Sequence, residues 1–114
     1  MNNETTPFED SLFINQSAKY IISTLNEDIK SSSWVLTNGI HKIGRLDDKE
    51  IILDDITVSR NHAFISVDDD NLRITDEGST NGTFVNGELV KETKLHSGTR
   101  IQIGKFFLVL SKID

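Results

Sequence analysis

GSTNGTFVNG (residues 78–87) sets two Asn-Gly pairs, Asn81-Gly82 and Asn86-Gly87, around the short run Thr83-Phe84-Val85. Asn-Gly supplies the positive-φ residues that a two-residue hairpin turn needs, so the run between reads as a strand bounded by turns. The pattern extends in both directions. HAFISV (62–67) alternates Ala63, Ile65 and Val67 with Phe64 and Ser66, the period of a strand with one buried face, and LRIT (72–75) follows it. Upstream lie KYIIST (19–24), SSWVL (32–36), IHKIGR (40–45) and EIIL (50–53), with LNEDIK (25–30) turning the chain after the first. TNG (37–39) holds a third Asn-Gly pair and predicts a hairpin into IHKIGR. Downstream, TRIQIG (99–104) and FFLVLS (106–111) complete the set. No segment sustains a 3.6-residue apolar period. Ten to eleven short strands punctuated by Gly and Asn predict an all-β sandwich.

Residues 1–18 contain Pro7, several Asn, Thr and Ser, and no period; they read as a flexible N-terminal tail before a single domain over 19–114. The tail has one apolar stretch, SLFI (11–14), whose bland reading is a sticky segment or one helical turn and whose sharper reading is a docking motif. A chain of 114 residues with 36% hydrophobic and 26% charged residues suits one modest core. No apolar run approaches the ~18–20 residues of a membrane span, and no signal-peptide pattern opens the chain, which predicts a cytoplasmic protein. There is no cysteine, so disulfides and thiolate chemistry are excluded. The net charge of −6, without a Lys/Arg tract, argues against nucleic acid. Any anion must therefore be held by a few local groups.

Three loop stretches offer such groups: IGR (43–45), VSRNH (58–62) and GSTNGTFVNG. They carry two guanidiniums (Arg45, Arg60), three hydroxyls (Ser59, Ser79, Thr80) and the Asn81 amide. All donate hydrogen bonds, and their complement is an anion rich in acceptor oxygens, with phosphate on a side chain the foremost candidate. Each has a plainer reading: Arg45 as a surface ion-pair residue, the serines as turn or cap residues, and the Asn-Gly pairs as turns only. A Ser59–His62–Asp76 triad is disfavoured, because Ser59 and His62 stand three residues apart with no nucleophile elbow. His41, His62 and the aspartates lack metal-ligand spacing, so neither a catalytic residue nor a metal or cofactor is expected.

Together IGR…VSRNHA…STNGTFVNG…IQIG resembles the forkhead-associated (FHA) domain over about residues 19–111, a phosphothreonine-reading β-sandwich that uses arginine for phosphate. The resemblance implies roles by position. Arg45 would hold the bound peptide and its phosphate, Ser59 would meet the phosphate, and Arg60 would be a second donor. Thr80 and Asn81 would contact phosphate and peptide backbone, while His62, Ser79 and Asn86 would brace the loops. Phosphothreonine brings about −1.5 to −2 charges, enough for charge-assisted donors to capture it on an acidic protein. Preference over phosphoserine would rest on one buried methyl, ~0.8 kcal/mol by transfer.

The tail then acquires a meaning. ETTPF (4–8), with ILDDITVSRNHA (52–63) and IQIGKFFLVL (101–110), is similar to small actinobacterial FHA regulators that carry an ETTS stretch. That resemblance implies a domain that binds and inhibits a metabolic enzyme, 2-oxoglutarate dehydrogenase through its E1 component, and acts on glutamate metabolism. A Ser/Thr protein kinase would modify Thr5 or Thr6, and the tail would fold into its own pocket and release the target. Pro7 replaces the family's serine, and Phe8 stands three residues after Thr5 but two after Thr6, a spacing that points mildly to Thr5. The tether from Thr6 to Lys19 reaches ~45 Å extended and gives an effective concentration of order mM. The alternative is an adaptor for phosphothreonine on other proteins, with the tail incidental.

Overall fold

The computed structural model describes residues 19–26 and 32–113. The tail, including Thr5, Thr6 and SLFI, lies outside the described residues, as do residues 27–30 of the first turn. The described chain forms β1 (Tyr20–Thr24), β2 (Ser33–Leu36), β3 (Gly39–Gly44), β4 (Ile51–Ile52), β5 (Ala63–Asp68), β6 (Asn71–Asp76), β7 (Thr83–Val85), β8 (Glu88–Val90), β9 (Glu92–Leu95), β10 (Arg100–Ile103) and β11 (Phe106–Lys112). They make a six-stranded sheet ordered β2-β1-β11-β10-β7-β8 and a five-stranded sheet ordered β4-β3-β5-β6-β9. The short β3–β4 pairing, Ile43 with Ile51, is parallel. Among the described residues no helix is long and apolar enough to cross a membrane.

Alternation builds the core. Ile22, Leu108, Leu110, Ile101 and Ile103 face inward from the larger sheet, and Ile43, Ala63, Ile65, Leu72 and Ile74 from the smaller; all are buried. At about 25 cal/mol per Å² of apolar surface removed from water, these facing β-branched and leucine side chains drive the two sheets together. His41 is also buried, with Nδ1 2.9 Å from the Glu50 carboxylate and Nε2 2.6 Å from the Thr37 carbonyl. It ties β3 to its neighbouring loops.

Two expectations are corrected. Asn38-Gly39 does not close a hairpin, since β2 and β3 lie in different sheets and the pair carries the chain across the sandwich. Asn38 instead accepts from the Asp69 amide (2.8 Å) and donates to the Asp69 carboxylate (3.2 Å), fixing the crossover to the β5–β6 turn. The dipeptide signals a reversal of direction but not which sheet receives the next strand. The second correction concerns ELVKETKL (88–95), which lies outside the strands expected from the sequence and holds β8 and β9. Both are edge strands, and only Leu95 among these residues is buried. Charged side chains protect such edges from pairing with other chains and also erase the alternation that would announce them. Asn86 and Gly87, at φ 50° and 87°, close the β7–β8 hairpin as expected.

Candidate functional site

The loops after β3, before β5 and before β7 meet at one end of the sandwich, together with the β10–β11 turn. Gly44 makes the first junction possible. A Cβ there would stand 2.1 Å from the Arg60 carbonyl oxygen, so only glycine lets the end of β3 pass the loop before β5. The backbones then lock: the Arg45 amide donates to the Ser59 carbonyl (3.1 Å) and the His62 amide to the Ile43 carbonyl (3.0 Å).

On this frame Arg45 is half-buried and donates through Nε to the Val58 carbonyl (3.0 Å), which fixes its guanidinium plane. Arg60 is exposed. Among the described residues neither arginine has a carboxylate at ion-pair distance.

His62 joins the two loops that flank these cations. It is fully buried; Nδ1 accepts from the Ser59 amide (3.0 Å), so the proton is on Nε2, which donates to the Gly82 carbonyl (2.9 Å). Ser59 Oγ accepts from the Thr80 amide (2.9 Å), a second bridge between the loops. Asn81 donates its side-chain amide to the Thr57 carbonyl (3.0 Å). Among the described residues the Ser59 hydroxyl donates to no other group.

Asp76 organises the turn before β7. Its carboxylate accepts from the Gly78 and Ser79 amides (2.9 Å each), from Ser79 Oγ (2.5 Å) and from Thr83 Oγ1 (2.7 Å). Burial pushes its carboxyl up, but these hydrogen bonds outweigh that and hold it below the usual carboxylate range. Ser79 Oγ in turn accepts from the Gly82 amide (2.9 Å). Asp55 plays the same part in the neighbouring loop. The Thr57 hydroxyl and amide, helped by Lys105 at 3.2 Å, lower its carboxyl to about 2. The β10–β11 turn closes over it, with the Lys105 amide on Thr57 Oγ1 (2.9 Å).

Ser59, His62, Thr80 and Asn81 are thus linked by direct bonds between neighbouring loops, Ser79 braces its own turn, and Arg45 and Arg60 lie on the same segments. Asn86 stands apart. Its amide oxygen accepts from the Arg100 amide (3.0 Å) and its own amide donates to the Arg100 carbonyl (2.8 Å), which braces the β7–β8 hairpin on β10. The atoms of the considered triad have other partners: His62 holds two backbone groups, and Asp76 holds its own turn. Thr57, and the bracing roles of Gly44 and Asp76, are not among the expectations drawn from the sequence. A glycine inside a strand pattern signals close backbone approach, and Asp followed by Gly78 and Ser79 signals an Asx turn.

Comparison with known proteins agrees with this geometry. The FHA domain model matches residues 41–104, more than half of the chain. The chain is 45% identical over 78 residues to the glycogen accumulation regulator GarA of Mycobacterium tuberculosis, covering 68% of this chain and 48% of that protein. It is also 45% identical over 78 residues to an oxoglutarate dehydrogenase inhibitor of Corynebacterium jeikeium, covering 68% and 54%. The chain therefore spans about half the length of these relatives. A solved domain from a study of phosphothreonine-dependent FHA domain interactions superposes with a TM-score of 0.78 at 30% identity, covering 84% of this chain and 98% of that one. By its sheet order, its linked loops and this match, the chain belongs to the FHA domain family.

Proposed function

We propose that this protein is a phosphothreonine-binding regulator whose unmodified form binds and inhibits a metabolic enzyme. The observation that carries the phosphate reading is two guanidiniums, Arg45 and Arg60, with no carboxylate at ion-pair distance among the described residues, beside the Ser59–Thr80 bridge on a chain of net charge −6. Arg45 is the main charge-assisted donor, Ser59 offers its hydroxyl, and Arg60, Thr80 and Asn81 complete the cradle. The loops are held by His62, Ser79 and Asp76 before ligand arrives, so little ordering entropy opposes binding. The relatives named as a glycogen accumulation regulator and an oxoglutarate dehydrogenase inhibitor support an oxoglutarate dehydrogenase as the metabolic partner; its E1 component, met in the cytoplasm, is the partner this reading takes. A Ser/Thr kinase acting on Thr5 or Thr6 would create a self-ligand and release that partner.

The adaptor reading has one observation in its favour. A solved FHA domain 32% identical to this chain is described in complex with the intracellular domain of another protein. Calorimetry with phosphothreonine, phosphoserine and unmodified peptides separates the levels. The phosphothreonine peptide is expected to bind, and Arg45→Ala to weaken it by about 10- to 100-fold, as loss of a charged hydrogen-bonding partner requires. Equal binding of the unmodified peptide would sink the phosphate reading. If tail phosphorylation leaves the site open to that peptide, the switch fails and the adaptor stands.

A further inference from the structure

The outer face of the six-stranded sheet carries an apolar stripe that the phosphate site does not use. Phe84 pairs with Leu89 on one side and Gln102 on the other, and Gln102 pairs with Phe107, so these side chains form one row across β8, β7, β10 and β11. Leu89 is 67% exposed and Phe107 47%. Val109, Ile21 and Val35 continue the stripe diagonally, with Ile21 opposite Val35 across β1 and β2. The outer face of the other sheet differs. It presents Lys42, Ser66, Lys94 and an Arg73–Glu92 ion pair (2.8 Å), beside Phe64 and Ile40.

The two ends of the stripe are informative. It starts at Ile21, two residues beyond Lys19, where the tail joins the sheet. It ends at Leu89, which lines a depression of about 310 Å³ with Thr80, Asn81, Phe84 and Lys91. The stripe therefore runs from the root of the tail to the phosphate loops. From Lys19, two positions further down the strand than Ile21, the path to Leu89 at strand spacings is about 28 Å, or roughly eight extended residues. Counting back from Lys19, that brings Ser11 to Leu89, lays Leu12, Phe13 and Ile14 over the second half of the path, and leaves five residues between Ser11 and Thr5, or four before Thr6, to reach the site. The charges agree as well. Glu9 and Asp10 come next on the path, and Lys91, which among the described residues makes no ion pair, lines the depression they would reach.

We propose that residues 11–14 dock on this stripe when the phosphorylated tail occupies the site, so that the closed state is held by an apolar clasp as well as by phosphate. The proposal rests on the self-ligand reading above, and one experiment separates the two. Amide NMR spectra of the full chain are recorded before and after tail phosphorylation, at two protein concentrations. The wild type, a Leu12→Ser/Phe13→Ser double variant and Phe107→Ser are compared. Expected are concentration-independent shifts both at Arg45, Ser59 and Asn81 and at Ile21, Phe107 and Leu89. In the double variant the second group of shifts is lost, and a free phosphothreonine peptide displaces the tail at about tenfold lower concentration. Phe107→Ser should reproduce that loss from the other side of the contact. Movement of the site residues alone would overturn the clasp and leave the self-ligand reading intact; movement of neither would overturn both. Stripe shifts that grow with protein concentration would assign the face to a second copy and overturn the clasp.

Discussion

The two ends of the sandwich are held by different chemistry. At the far end Asp70 gathers Tyr20 Oη (3.0 Å), Lys19 (3.7 Å) and Lys112 (4.0 Å), with the charged side chains largely in solvent. At the site end the ties run from side chains to backbone, through Asp76, Thr57, Ser59 and the fully buried His62. Exposed ion pairs hold two surfaces loosely and weaken with salt. Bonds to backbone atoms fix loop geometry and are costly to leave unmade. The second kind suits a site that must offer donors at set positions before its ligand arrives.

The sharpest way to break that contrast is steric. Gly44→Ala places a methyl group 2.1 Å from the Arg60 carbonyl, where neither backbone has room to yield without parting the two loops. The expected cost is about 3 kcal/mol or more, in the range of severe overpacking. Urea denaturation followed by tryptophan fluorescence measures it, since Trp34 packs against the core. A midpoint unchanged from wild type would show that the junction is looser than the distances imply.

His62→Ala comes next. It leaves the Ser59 amide and Gly82 carbonyl without partners and opens a cavity in a fully buried place. A loss of about 2–4 kcal/mol follows from the two unmet hydrogen bonds and the void. Phosphopeptide affinity should fall as well, because the Ser59 and Thr80 loops lose their link. A variant that binds peptide as tightly as wild type would mean that the Ser59–Thr80 bond suffices.

The same contrast explains how far the sequence could be read. Strands whose inward positions are all apolar, such as Ala63-Ile65-Val67 and Ile101-Ile103, are visible because burial enforces a period of two. The edge strands β8 and β9 are invisible because their charges answer to solvent. In the site, Arg45, Ser59, Thr80 and Asn81 are legible as a set of donors in three loop stretches and take roles only from the resemblance, since each alone reads as readily as a surface or turn residue. The clearance at Gly44 and the reach of His62 to Gly82, twenty residues away, depend on contacts that local spacing does not encode.

Acid gives the finest comparison of the two ends. Asp76 and Asp70 both lie below the ordinary carboxylate value of 3.8; for Asp70 the hydrogen bond from Tyr20 is the largest cause, followed by the Lys19 charge. A carboxyl depressed in the folded state contributes stability that is full above its unfolded value and lost as pH falls through the folded one. Both contributions should therefore persist at neutral pH and fade below about pH 4. Asp76→Asn should destabilise the protein by about 1–3 kcal/mol at neutral pH, since an amide cannot replace a carboxylate that accepts four hydrogen bonds. The gap from wild type should narrow as pH drops toward 3. Asp70→Asn should show the same sign with a smaller effect, of which added salt suppresses the part owed to the exposed Lys19 and Lys112. Urea midpoints of both variants across that pH range, at low and high salt, decide the matter. Equal, salt-sensitive effects would mean that the site end is held by surface charge too, and the distinction between the two ends would disappear.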